Sequence, residues 1–594
     1  MLFYDRVNAT VPDGIEQQTA HVIGGGLAGL AAAAFLATDA HMPGANITVY
    51  EDLPTLGGSM DGTGDAVTGY VNRGERELEA HMECLWYLFS KVPSLTRPGR
   101  TVLDETRAFN CREPISSHWR MIERQGLKAE YESLRLPHDA LRQLLRLLVR
   151  PETEVQDKSM RDCFSPSFFE SNFWQLFSSM LSFDDYHSAI EVRRYMLRFF
   201  HLAQPMPRLE GILHTEYNEF DALIRPLIVW LQDLGVRFEL STRVVDMAVE
   251  TKDGESTVVG LTVQSAQRRA EVALTAEDLV LFTNGSLTQN TTYGDNETAV
   301  TWNLDNQERG LFTLWEKLAA LDPKFGRPEK FISWPEKTRW TSFFVTVVDY
   351  PDFADYIEQV SGDKRGNGGA VTVKDSSWGL GFMLHSKPFY PNQPDNVDLL
   401  WGYGLRGNQV GDLVKKPMVD CTGNEILAEF LYHLGLQDSI DDFIAHAKVS
   451  LAGMPYITSQ FMPRAIGDRP RVIPDGCVNL GFVGQFVEVD DDCVFTVETS
   501  VRTAMEAVYG LLKLDKPIIP VSPTRYDIRH LAASVRALLD LDTLHPQDLL
   551  LRLVLPAALH PQDLLLRPHD LAELVDLVEL ANRIPEPVDV RPGT

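Results

Sequence analysis

Gly24-Gly25-Gly26-Leu27-Ala28-Gly29 has the spacing GxGxxG and stands between a short apolar run, AHVI at 20–23, and an alanine-rich stretch, AAAAFLATDA. In that setting each glycine has a task. Gly24 makes the tight turn, Gly26 lets backbone approach a pyrophosphate, and Gly29 lets helix and strand pack closely. The helix start then offers free N–H groups and the positive end of its dipole to the phosphates. Glu51 closes a second apolar run, NITVYED at 46–52, where a carboxylate can accept hydrogen bonds from a ribose. The chemistry this predicts is dinucleotide binding. Gly57-Gly58-Ser59-Met60-Asp61-Gly62 follows the acid, and Gly481-Phe482-Val483-Gly484 is a second strand and turn before a helix. Both features favour FAD over NAD. The cofactor contacts expected are Gly24, Gly26, Ala28, Gly29, Glu51, Gly58, Ser59, Met60, Arg73, Asn284, Gly484 and Thr496.

Two further residues are of types that can do acid–base chemistry, but their local patterns are ordinary. Glu77 lies in a charge-dense stretch that reads as a helix start, where the dipole favours an acid in any case. Tyr195 falls on a stripe with Val192, Met196 and Phe199, the pattern of a packed core face.

The elements that must position these residues follow from the periodicity. Residues 20–52 give strand, helix and strand, the first half of a Rossmann unit. Leu78, Met82, Leu85, Trp86 and Phe89 form a helical stripe within 73–90, residues 130–205 are helical and aromatic-rich, and 236–284 return to β patterning. The fold class expected is α/β. A discontinuous Rossmann-type FAD-binding domain (1–95, 206–300 and 451–520) would enclose a mostly helical segment (96–205) and a mixed α/β substrate domain (301–450). A helical appendage at 521–594 would follow. That tail is Leu-rich and contains LHPQDLLLR twice, at 544–552 and 559–567. It is expected to pack on the body, with a peripheral membrane contact as the alternative.

Composition sets outer limits. A net charge of −28 argues against a nucleic-acid partner. Six scattered cysteines with no CxxC pair suit a reducing cytoplasm and argue against a zinc site, so no metal is expected. The first residues show no signal-peptide pattern, and no apolar run is a convincing membrane span. A cytoplasmic location is expected.

RGERELEAHMECLW (73–86) closely resembles the RGGREM-containing segment of the oleate hydratases, the myosin-cross-reactive antigen family. The segments 173–201, 401–405 (WGYGL), 420–436, 454–470 and 481–502 resemble that family too, in order and with spacing kept. The resemblance implies bound FAD, cis-unsaturated fatty acids as substrates, and redox-neutral addition of water to a double bond. It makes Glu77 the activator of the water and Tyr195 the proton donor. It is compatible with a homodimer, although no dimer face is legible. Two rival readings stay open: a true flavin oxidoreductase of the amine oxidase or desaturase type, and a fatty-acid-binding flavoprotein without activity.

This chain departs from the family pattern at two places. The second glycine of RGGREM is Glu75 and its methionine is Leu78. Where many relatives carry a Thr-x-Asn-x-x-x-His pattern that meets the fatty-acid carboxylate, the alignment places Met383, His385 and Phe389. Two of three polar partners are then apolar, and a carboxylate buried without partners is costly. Either His385 holds the head group alone, or the head group lies nearer solvent, or head-group or chain-length preference differs.

Overall fold

Strands AHVI and ITVY bury every residue, the pattern of strands covered on both faces of a parallel sheet. In the computed structural model they form the centre of a five-stranded parallel sheet. Its spatial order is Leu480–Val483, Leu279–Thr283, Ala20–Ile23, Ile47–Tyr50, Arg237–Glu239. The sheet is thus assembled from distant parts of the chain. The structure describes residues 9–524 apart from 135, 303, 305–307 and 368, and beyond them 530, 533, 534, 537 and 538.

Helix Leu27–Thr38 is apolar all round, and Leu27 to Leu36 are buried without a break. Such a helix belongs inside a core, and here it lies between the sheet and helix Val497–Leu511. Gly29 is what lets it come that close. A Cβ at Gly29 would sit 1.9 Å from the Gly24 carbonyl oxygen.

A second, eight-stranded sheet runs in the order Thr292–Gly294, Ala447–Met454, Trp340–Val348, Val397–Gly404, Leu380–Leu384, Val371–Val373, Met121–Glu123, Leu127–Lys128. Its last two strands come from the segment read as mostly helical. A three-stranded antiparallel meander, Thr242–Lys252, Glu255–Ser265 and Arg269–Ala273, stands apart. Helices His138–Val149, Asn172–Leu181 and Ala189–Arg198 share a third body of apolar packing rich in phenylalanine.

The helix expected over 73–90 is shorter than its stripe suggests. It spans only Glu83–Phe89. Gly74 has φ +145, outside any helix, and Leu78–Glu79 pair as a strand with Ile212–Leu213. Glu77 therefore sits in an extended loop and receives nothing from a helix dipole.

Among the described residues no helix is long and apolar enough to cross a membrane. Both LHPQDLLLR copies lie outside the described residues. Of the tail, the Leu538 carbonyl accepts from Leu136 N–H at 2.8 Å, and Ser534 Oγ donates to the Phe200 carbonyl at 2.6 Å.

Candidate functional site

Two adjoining cavities form the site. The first, of about 390 Å³, lies at the carboxyl ends of the parallel strands and is lined by Gly24, Gly26, Ala28, Glu51, Gly58, Ser59, Met60, Arg73, Gly484 and Thr496. The two early glycine clusters meet there. Gly57 N–H donates to the Gly25 carbonyl at 3.0 Å, and a Cβ at Gly58 would stand 2.9 Å from Gly26 Cα. Gly57 and Gly58 have φ +120 and +58, conformations that glycine adopts without strain. Arg73 fixes this turn by bonding Asp61 Oδ1 at 2.7 Å and the Gly58 carbonyl.

The lining suits a dinucleotide. Helix Leu27–Thr38 has no side-chain cap and no acid in its first turn, so its leading N–H groups are left for an anion. Thr283, on the same wall, has a buried Oγ1 with no partner. Thr496 caps helix Val497–Leu511 by accepting from Thr499 N–H at 3.2 Å. Glu51 accepts from Gly25 N–H at 2.7 Å and Leu53 N–H at 2.9 Å, while burial raises its pKa. Gly29 and Asn284 do not line this cavity. Gly29 serves helix packing, and Asn284 donates to the Phe486 carbonyl at 3.0 Å behind the wall.

The second cavity, of about 140 Å³, is walled by Leu144, Phe173, Phe177, Met196 and Leu538, and both Glu77 and Tyr195 line it. Arg76, Phe495, Thr496 and Val497 line both cavities, so the two abut across these residues. Phe495 is held at φ +72, with its N–H donated to Gln485 Oε1. Positive φ in a bulky residue persists only where its surroundings enforce it.

Glu77 is half-buried, and desolvation raises its carboxyl to about 7 against the pull of Arg120. Arg120 is fully buried and donates to the Ala370 carbonyl at 2.8 Å and the Met206 carbonyl at 2.9 Å. Tyr195 is buried, and burial pushes its phenol well above the ordinary value, so it is neutral. Its hydroxyl donates to the Val494 carbonyl at 2.7 Å. The loop carrying Val494 is pinned by Asp492, which bonds Arg198 Nε at 3.0 Å and Arg502 Nε at 3.2 Å, all three buried. Arg198 lies one turn along from Tyr195 on helix Ala189–Arg198, so the same helix supplies the phenol and the clamp on its acceptor.

A family model described as the MCRA family matches residues 17–509. The chain belongs to the MCRA family. Within it, the chain is 38% identical to the oleate hydratase of Streptococcus pyogenes serotype M49 (strain NZ131), over 91% of this chain and 92% of that protein. It is 30% identical to the linoleate hydratase of Lactiplantibacillus plantarum, over 85% of this chain and 95% of that one. Its shape is also similar to cyclohexylamine oxidase from Brevibacterium oxydans IH-35A, with a TM-score of 0.48 at 15% identity, over 84% of this chain and 99% of that one.

The MCRA chain departs from the sequence reading at the expected head-group site. Met383, His385 and Phe389 do not line the apolar cavity. His385 is 4% exposed and stacks on Phe389 with ring centroids 3.9 Å apart. Burial lowers its pKa to about 3, so it is a neutral imidazole and not the cation that could hold a carboxylate alone. The Glu75 carboxyl lies beside it, with Nε2 and Oε1 3.4 Å apart.

Arg76, Phe495 and the Asp492 clamp escaped the sequence reading. The DDD run at 490–492 facing the RRYMLR helix was the signal for the clamp. Among the described residues, a cluster of metal-ligand types, Asp412, Glu429 and His433, lies elsewhere. Its carboxylates are already engaged, Glu429 by the N–H groups of Leu413 and Val414 at 2.8 Å and Asp412 by Ser377 N–H and Oγ.

Proposed function

We propose that this protein adds water to the cis double bond of unsaturated, oleate-like fatty acids as a redox-neutral hydro-lyase with FAD in the larger cavity. One observation supports this reading above the others: a carboxyl poised near neutrality and a neutral phenol line the same apolar cavity, against a glycine-walled one. The oleate and linoleate hydratases among its relatives point to the same chemistry.

The chemistry follows from the two groups. An isolated alkene is a poor base, so protonating it needs a donor held against it and stabilisation of the positive charge that develops on carbon. Tyr195 delivers its proton to one alkene carbon. Water attacks the other carbon, and Glu77 takes the proton that the water releases. Passing that proton back from Glu77 to the phenolate restores both groups, and the sum is one water added. Glu77 in its ionised form also favours the cationic transition state. The Phe173, Phe177 and Met196 wall excludes bulk water that would otherwise screen these charges.

FAD would be held by the turn at Gly24, Gly26 and Ala28, by Glu51, and by the Gly58–Met60 segment with Arg73. When bound it supplies a flat, electron-rich surface beside the apolar cavity, and water addition requires no net electron transfer from it.

Glu77→Gln and Tyr195→Phe test the reading. Each is near-isosteric and is expected to retain flavin while losing roughly 10²-fold or more in hydration rate. Unchanged turnover in either variant removes that residue from the mechanism.

A further inference from the structure

Glu75 stands where the resemblance expects glycine, and the structure gives its side chain two faces. On one side it lines the apolar cavity beside Arg76 and Glu77. On the other its Oε1 lies 3.4 Å from His385 Nε2, and His385, buried and packed against both Phe389 and Phe344, does not line the cavity. The carboxyl is tethered as well. Asn72 Nδ2 donates to Glu75 Oε1 at 3.1 Å, and Asn72 Oδ1 accepts from Gly74 N–H at 3.2 Å, so the group cannot swing freely. His385 Nε2 has no hydrogen-bond partner, so the aromatic block behind Glu75 holds an unpaired ring nitrogen.

On the reading that this cavity takes a fatty acyl chain, we propose that Glu75 is a specificity-determining end wall. Its side chain stands between the cavity and the packed pair His385 and Phe389. It thereby sets how much of the chain can lie beyond Glu77 and Tyr195, and hence which chain length seats its double bond at those two residues. The bulk of the side chain acts here. Burial and the neighbouring Glu219 raise its pKa well above the ordinary value, which favours the uncharged form against hydrocarbon. Nothing in the backbone demands glycine at this position, because Glu75 is not among the residues at positive φ.

The test uses the flavin-loaded full chain, with Glu75→Gly, Glu75→Ala and Glu75→Gln compared with wild type. Displacement of a bound fluorescent fatty acid gives the affinity for a graded series of cis-monounsaturated acids. Mass spectrometry gives the hydration products of the same series, and the melting temperature shows that each variant is folded. Glu75→Gly is expected to move the affinity optimum to longer chains, with about a fourfold gain for each further methylene buried. Glu75→Ala should shift it less, and Glu75→Gln should keep the wild-type profile. An unshifted optimum in Glu75→Gly overturns the proposal, as does a shift in Glu75→Gln as large as in Glu75→Gly. The binding arm does not depend on turnover. A wild type that binds the series but hydrates none of it defeats the functional reading, and the affinity profile still decides the role of Glu75.

Discussion

Desolvation at Glu77 raises its carboxyl to about 7, and the Arg120 guanidinium pulls the other way. A base must be ionised to accept a proton from water, so kcat/KM should fall as pH drops below about 7. A pH–rate profile without an acid limb in that region would contradict the assignment. Stability gives an independent check. A carboxyl whose folded pKa lies above its unfolded value favours the fold while protonated and loses that contribution as pH rises through the folded pKa. Glu77→Gln should therefore raise the melting temperature above wild type at about pH 8, with the gap closing toward about pH 5. A gap that widens on acidification would mean that burial does not govern this group. Neither effect could be anticipated from the string RGERE. Its density of charge suggested a helix start, whereas the chain folds Glu77 into an extended loop along a cavity.

Elements place these residues, and they differ in how much the sequence revealed. The Rossmann half was legible because its constraint is local: Gly24, Gly26 and Gly29 act within one turn, and the flanking strands are mostly apolar and buried at every position. The end of that unit at Glu51 was legible for the same reason. The short helix Glu83–Phe89 was not, because its apolar stripe continues into Leu78. Only the pairing of Leu78–Glu79 with Ile212–Leu213, a long-range contact, ends it early. The surroundings of the expected head-group residues were hidden in the same way. Met383, His385 and Phe389 were aligned as a local motif, but Glu75, from a distant segment, brings its Oε1 to 3.4 Å from His385 Nε2. The loop over Tyr195 gives a test at this scale. Asp492→Asn leaves Arg198 and Arg502 buried with less compensation, and breaking such a pair typically costs about 3–5 kcal/mol. It also loosens the Val494 carbonyl that holds the Tyr195 hydroxyl. The variant should melt lower and hydrate more slowly than its remaining folded fraction accounts for. A slower rate that tracks folded fraction alone would reduce Asp492 to a structural role.

At the scale of the whole molecule, the glycine-lined cavity and the apolar cavity meet along Arg76, Phe495, Thr496 and Val497. The tail takes part in one of them, since Leu538 lines the apolar cavity and is 3% exposed. Removing residues 530–594 deletes that part of the wall while leaving the glycine-lined cavity intact. The truncated protein should keep its flavin and show a KM for oleate raised roughly tenfold or more, the scale of one buried leucine. An unchanged KM would mean that the tail does not shape the substrate site.

The central claim is that water, and not an electron acceptor, is the second reactant. Oleate incubated with the flavin-loaded protein in water labelled with heavy oxygen tests it most directly. The account predicts a product heavier than oleate by one water, with the label in the new hydroxyl. A product lighter by two hydrogens, a hydroxyl whose oxygen comes from dioxygen, or recovery of oleate unchanged would contradict it.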